Sequence, residues 1–178
     1  MITKVDRKYL EINSLEEINL SDKPSSNCTV EIKKDPDFQI NKFFYKQIGK
    51  SYRWIDRLVW DDGKWMNYTN NANLETYILT ENEELIGFFE LIFHTETRKC
   101  EVAYFGILDQ YIGKKYGSYL LSEALKLGFR NNTKKVWLHT CSLDHKHALN
   151  NYLARGMKIF KSETVSYTHL TLPTTPYV

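Results

Sequence analysis

The chain has 178 residues, a net charge of +2, 42% hydrophobic residues and 26% charged residues. That composition supplies a core and excludes wholesale disorder, and so small a charge gives no electrostatic case for nucleic acid as a partner. Cys28, Cys100 and Cys141 match no zinc or redox spacing, no segment reaches the apolar length of a membrane span, and the N-terminus lacks a signal-length apolar run, so a reduced cytoplasmic protein with no membrane partner is expected.

Residues 1–37 are mixed, with strand signals at "KYLEIN" and "CTVEIKK" and a break at "DPD". "INKFFYKQIGKSYRWIDRLVW" has helical periodicity, with Ile40, Phe43, Phe44 and Ile48 on one face, as one helix or two joined near Gly49. "DDGKWMNYTNNAN", rich in Asn and aromatics, reads as a loop. Its aromatics could wall a site and its Asp61 and Asp62 could attract a cationic amine, or could serve a solvated turn. "LETYILT", "ELIGFFELIFH" and "KCEVAYFGIL" read as three strands in meander, the first two joined by "ENEE".

From Lys114 the period changes from two to 3.6, and Leu120, Leu121, Ala124, Leu127 and Gly128 share a face until "RNNT" ends the helix. "KKVWLHTCSL" is a strand. Asp144 is placed to cap a helix over "HKHALNNYLARG", with Gly156 as its stop, and "MKIFKSET" is one more strand. The order predicts a mixed α/β sheet with helices on its faces, and a parallel, right-handed crossover over residues 100–143. A single domain over 1–165 is expected. The tail at 166–178, "SYTHLTLPTTPYV" from Ser166, has no charged residue. It reads either as an edge strand to Leu172 ended by Pro173 or as an extension foreign to the domain.

"FGILDQYIGKKYG" puts Gly113 and Gly117, with Lys114 and Lys115 between them, where a strand hands over to a helix. Unpaired N–H groups, the positive end of the helix dipole and mobile charge make an anion site there, above all for phosphate. Neither the Walker spacing nor the dinucleotide fingerprint is present, and a plain strand–helix turn that uses glycine for close packing is the alternative.

"YFGILDQYIGKKYGSYLL" followed by "VWLHTCSLDHKHALNNYLARGMKIF" resembles the GNAT superfamily of acetyl-CoA-dependent N-acetyltransferases over roughly residues 75 to 160. Where the family's loop pattern has a polar residue, a glycine and a second small residue, this chain has Ile112, Lys115 and Gly117; Met157 replaces the usual Phe. A positive φ at Lys115 would cost about 1 kcal/mol. The resemblance implies a mostly antiparallel sheet with one parallel, splayed pair. It implies acetyl-CoA as co-substrate, without a metal, and a small-molecule or peptide amine as acceptor. It also implies that Gly113, Lys114, Lys115, Tyr116, Gly117 and Ser118 hold the pyrophosphate, that the strand end Phe105, Gly106, Ile107 and Leu108 holds the thioester, and that His145 and Asn150 complete the cofactor site. Dimers are common among similar proteins, so a homodimer is an expectation too.

By the same resemblance Tyr152 is the proton donor to the leaving sulfur. The base should be a carboxylate on the sheet. Glu90 and Glu101 stand opposite one another if the hairpin turns between Thr95 and Glu96, and two such close carboxylates raise the pKa of one of them, as suits a base; a one-residue shift sets Glu90 against Ala103 instead. Glu90 sits in the apolar run of Phe88, Phe89, Leu91, Ile92 and Phe93, which favours it. His139, Cys141, Asp144, His145 and His147 match no standard metal site, and Cys141 reads as a buried thiol. The rival reading is a CoA-binding or sensory domain without catalysis.

Overall fold

The computed structural model describes residues 2–35 and 37–167, except the side chain of Tyr167. Its strands are β1 (Thr3–Ile12), β2 (Cys28–Ile32), β3 (Leu74–Glu81), β4 (Glu84–His94), β5 (Lys99–Ile107), β6 (Lys135–Cys141) and β7 (Lys158–Tyr167). Its helices are α1 (Gln39–Tyr52), α2 (Asp62–Thr69), α3 (Tyr116–Gly128) and α4 (Ala148–Ala154). The strands form a seven-stranded sheet in the order β2-β3-β4-β5-β6-β1-β7. β5 and β6 are parallel, joined through α3, and the other neighbours are antiparallel. The predicted mixed sheet and the parallel crossover are both present.

β4 explains its own sequence. Residues 86 to 91 are buried without interruption, because helices cover both faces of the sheet there. On one face Phe89 and Leu91 meet Leu120, Leu121, Ala124 and Leu125 of α3. On the other, Phe88 stacks flat on Phe44 of α1, with ring centroids 4.9 Å apart, beside Ile48. Gly128 closes α3 against β6: a Cβ there would lie 2.9 Å from Val136 Cγ2.

Three local expectations are corrected. The "DDGKWMNYT" loop is helix α2: Asp61 caps it, accepting from the Lys64 N–H at 2.8 Å, and buried Trp65 pins it to Tyr45 and Trp60. Tertiary anchoring has overridden weak propensity. The helix expected to reach residue 60 stops at Tyr52, where Arg53 turns left-handed at φ 57°. Asp144 does not cap α4. Its Oδ2 accepts from the Cys141 N–H (3.0 Å) and the Thr140 hydroxyl (2.5 Å), and the helix begins later, at Ala148. The strand signal at "KYLEIN" grows into β1, which lies inside the sheet between β6 and β7. Gly156 does stop α4, at φ 106°, where a Cβ would sit 2.2 Å from the Glu17 carbonyl oxygen. β7 runs to Tyr167; the rest of the expected tail strand, to Leu172, lies outside the described residues.

Candidate active site

β5 and β6 pair only where Lys99–Glu101 meets Lys135–Trp137. Beyond that, β5 follows β4 to Ile107 and β6 follows β1 to Cys141, so the two strands part like a V. The parting coincides with a bulge: Leu91 pairs with Val102 and Glu90 with Tyr104, leaving Ala103 as the extra residue. A bulge bends its strand and raises the twist. Among the described residues, β5 beyond Glu101 therefore has no ladder partner on its β6 side, and N–H groups turned that way can donate to a ligand.

A cavity of about 990 Å³ fills the V and reaches the loop before α3. That loop is a short 3-10 turn at Asp109–Tyr111, then Gly113 at φ 83°, Lys115 at φ 70°, then Tyr116 opening the helix. Among the described residues, Lys115 at the N-cap of α3 makes no side-chain cap, so the first amides of the helix are left to present the positive end of the dipole. Gly113, Lys115, Gly117 and Ser118 line the cavity. Gly113 is required by its φ and not by crowding, since a Cβ there meets nothing within 4 Å.

Tyr152, on α4, lines the opposite wall and is 8% exposed. Burial, with Asp144 and Cys141 adding to it, pushes its phenol well above the ordinary tyrosine value, so the ring keeps its proton. Glu101 also lines the cavity, with His94 Nε2 3.4 Å from its Oε1.

Residues 37–157, more than half of the chain, match the acetyltransferase (GNAT) family. The chain belongs to that family. A search of the curated proteins gave no significant match. The fold is similar to that of a GCN5-related N-acetyltransferase from Sphaerobacter thermophilus (TM-score 0.69, 15% identity), covering 91% of this chain and 50% of that one. It is also similar to an aminoglycoside acetyltransferase from an uncultured soil metagenomic sample, in complex with trehalose (TM-score 0.63, 9% identity, covering 75% and 90%). A third neighbour is a functionally unknown conserved protein from Staphylococcus epidermidis (TM-score 0.61, 15% identity, covering 92% and 61%). The chain thus spans only about half to three fifths of the length of two of these neighbours. At these identities the likeness is one of fold.

Within this GNAT domain the expected site residues divide. Phe105, Gly106, Ile107 and His145 line the cavity with the loop residues above. Leu108 does not: it packs with Phe44, Ile48 and Phe88, and its N–H donates to the Ile86 carbonyl at 2.9 Å. Lys114 lies outside, its Nζ 5.9 Å from the Tyr111 ring, and Tyr116 is turned inward with its hydroxyl on Glu81. Asn150 is exposed and off the cavity. Its neighbour Asn151 lines it instead and donates to the Gly117 carbonyl at 3.2 Å, because one residue turns a helix face by about 100°.

The expected pairing of Glu90 with Glu101 is not there. The hairpin loop spans the four residues between His94 and Lys99, and the bulge adds one more, so Glu101 faces Ile92 and Glu90 faces Tyr104. Glu90 is completely buried and off the cavity. Its Oε1 accepts from Arg57 Nη2 (3.0 Å) and the Tyr68 hydroxyl (2.6 Å), and its Oε2 from Arg57 Nη1 (3.3 Å) and Asn41 Nδ2 (2.9 Å). The Arg57 guanidinium in turn lies 4.1–5.6 Å from the centroids of Tyr45, Trp60, Trp65, Tyr68 and Tyr104. Arg57, Tyr68 and Asn41 were not foreseen. The signal that could have found them was the carboxylate in the apolar run, which needs a buried cation.

His139, on β6, lines the cavity without having been expected to. Burial holds its imidazole below the usual value, with Arg7 adding to that and Glu101, Asp144 and Asp56 opposing it. Burial raises the Cys141 thiol, so nothing activates it as a nucleophile. Asp61 and Asp62 cap α2 and pair with Lys42 and do not reach the cavity, whereas Trp60 and Tyr68 form part of its wall. Among the described residues, no three His, Cys, Asp or Glu side chains are grouped to hold a metal, and no helix is long and apolar enough to cross a membrane.

Proposed function

We propose that this GNAT domain moves an acetyl group from acetyl-CoA to a primary amine by direct attack in a ternary complex. The observation that carries this reading is one cavity that joins the splayed end of β5, the glycine-bearing mouth of α3, Glu101 and Tyr152. The loop suits phosphates: it offers outward amides, a helix N-terminus and Lys115. The β5 amides beyond Glu101 suit the thioester carbonyl, where negative charge develops.

Glu101 rather than Glu90 takes the proton of the attacking amine, directly or through water. Glu90 already accepts four hydrogen bonds and is walled off. Tyr152 donates a hydrogen bond to the departing sulfur. Its phenol, above the ordinary value of about 10, is a weaker acid than a thiol near 8.5, so it stabilises the thiolate without surrendering its proton outright. The acceptor enters past Trp60, Tyr68 and Tyr104, whose rings favour a cation or an apolar stem. Three unpaired thiols fit a reduced, cytoplasmic setting.

A second reading, a CoA-binding domain without turnover, rests on Lys115 holding a left-handed backbone where glycine fits without strain. Calorimetric titration with acetyl-CoA and CoA, followed by an amine panel monitored through released thiol, separates the two. Catalysis predicts turnover with one class of amine, at least tenfold lower in Tyr152→Phe at unchanged CoA affinity. Binding without turnover across the panel supports the second reading, and no binding by folded protein removes both.

A further inference from the structure

The mouth of α3 lacks the devices that usually fix such a loop. Lys115 sits at φ 70° with no side-chain cap on the helix, and the space around Gly113 is open. What holds it comes from the neighbouring β3–β4 turn. The Tyr111 hydroxyl donates to Glu84 Oε2 at 2.9 Å, and the Tyr116 hydroxyl donates to Glu81 Oε2. The two rings meet edge to face, 5.8 Å apart. Ser25 donates to the second Glu81 oxygen at 2.8 Å, so that carboxylate is oriented from two sides. Glu81 ends β3 and Glu84 begins β4, and between them Asn82 and Glu83 both take positive φ (50° and 69°). Two consecutive left-handed residues in a two-residue hairpin make a tight turn with little freedom. The loop's two tyrosines are thus seated on a rigid hairpin end.

Electrostatics alone would not put carboxylates there. Behind an anion site two negative charges oppose the ligand. Their presence makes sense if acceptor geometry, not charge, is what the loop needs. We propose that Glu81 and Glu84, at the β3–β4 turn, are positioning residues that hold the Gly113–Ser118 loop in its phosphate-receiving shape through Tyr116 and Tyr111. The inference rests on the acetyl-CoA reading, and its test has one arm that does not. Burial (8% exposed) makes Tyr116 the stronger of the two anchors, so Glu81 is the residue to vary.

The experiment compares wild type with Glu81→Gln, Glu81→Ala, Tyr116→Phe and the double variant Glu81→Ala/Tyr116→Phe. Two readouts are taken: calorimetric CoA affinity, and amide hydrogen exchange of residues 113–118 in the free protein. Gln keeps an acceptor for the Tyr116 hydroxyl while removing a charge. Positioning predicts CoA affinity in Glu81→Gln equal to or better than wild type. It predicts affinity roughly tenfold weaker in Glu81→Ala and Tyr116→Phe, as for the loss of one charged hydrogen bond, with the double variant no worse than either single. Loop exchange should rise in Ala and Phe but not in Gln. Equal affinity and exchange in all variants overturns the proposal, as does a Gln variant as impaired as Ala. If wild type binds no CoA, the exchange arm still decides the positioning claim, and it is the cofactor reading that fails.

Discussion

Replacing Glu90 by Gln tests whether this carboxylate is a structural partner or a base. The change removes the charge that faces Arg57 and puts an amide N–H₂ where Arg57, Asn41 and Tyr68 all offer donors. Arg57 is 6% exposed and cannot turn to water without uncovering the five rings around it. Breaking a buried pair by removing one partner costs about 3–5 kcal/mol. The rings still attract the stranded guanidinium, which sets the expectation at the lower end, about 3 kcal/mol. For a domain of this size that is a fall in Tm of roughly 6–12 °C. Scanning calorimetry and urea unfolding read it directly. The double change Glu90→Met/Arg57→Met should recover most of the loss, since replacing both members of a buried pair with apolar groups is often neutral. A Glu90→Gln protein with unchanged Tm and abolished turnover would refute this account and return the base to Glu90.

The companion change Glu101→Gln should leave unfolding within about 0.5 kcal/mol of wild type while lowering turnover at least a hundredfold, read by thiol release. Gly156→Ala should destabilise by about 3 kcal/mol or more in urea, because its Cβ would strike the Glu17 carbonyl at a φ of 106°. Glu81 should give a signature in acid. Hydrogen bonds from Tyr116 and then Ser25 hold its carboxyl below its ordinary 4.5. A depressed folded value means its stabilisation is full above pH 4.5 and fades as pH falls below that, so the acid limb of the stability curve should be shallower in Glu81→Gln.

Much of this was legible in the residues because periodicity and turn chemistry act locally. The three-strand meander, α3 and its glycine-bearing mouth, β6, and the stop at Gly156 all announced themselves within a dozen residues. The positive φ at Lys115, which the resemblance's loop pattern raised as a condition, is present as well. What could not be read were features set by distant contacts. Helix α2 exists because Trp65 is gripped by Tyr45 and Trp60, which no count of Asn and Gly in its sequence reveals. The Glu90–Glu101 pairing failed at the hairpin turn, which closes between Glu96 and Thr97 and already sets Glu101 against Ile92; the bulge at Ala103 then moves Glu90 on to Tyr104, since each one-residue slip shifts every partner beyond it. Arg57 lies 33 residues from Glu90, so the carboxylate's need for a cation was visible and its partner was not.

The place of β1 in the sheet has a consequence for how the chain is made. Thr3 pairs with Tyr167 and Arg7 with both Cys141 and Glu163, so an early strand is completed only by the two latest ones. During synthesis at about 5–20 residues per second, β1 waits roughly 6–30 seconds for its partners. Such long sequence separations slow folding through loop-closure entropy, and an open strand edge in the interval is a template for other chains. The same ladder that seals the β6 side of the cleft therefore leaves nascent copies of this domain open to mispairing, and its yield on expression should rise when translation and growth temperature are lowered.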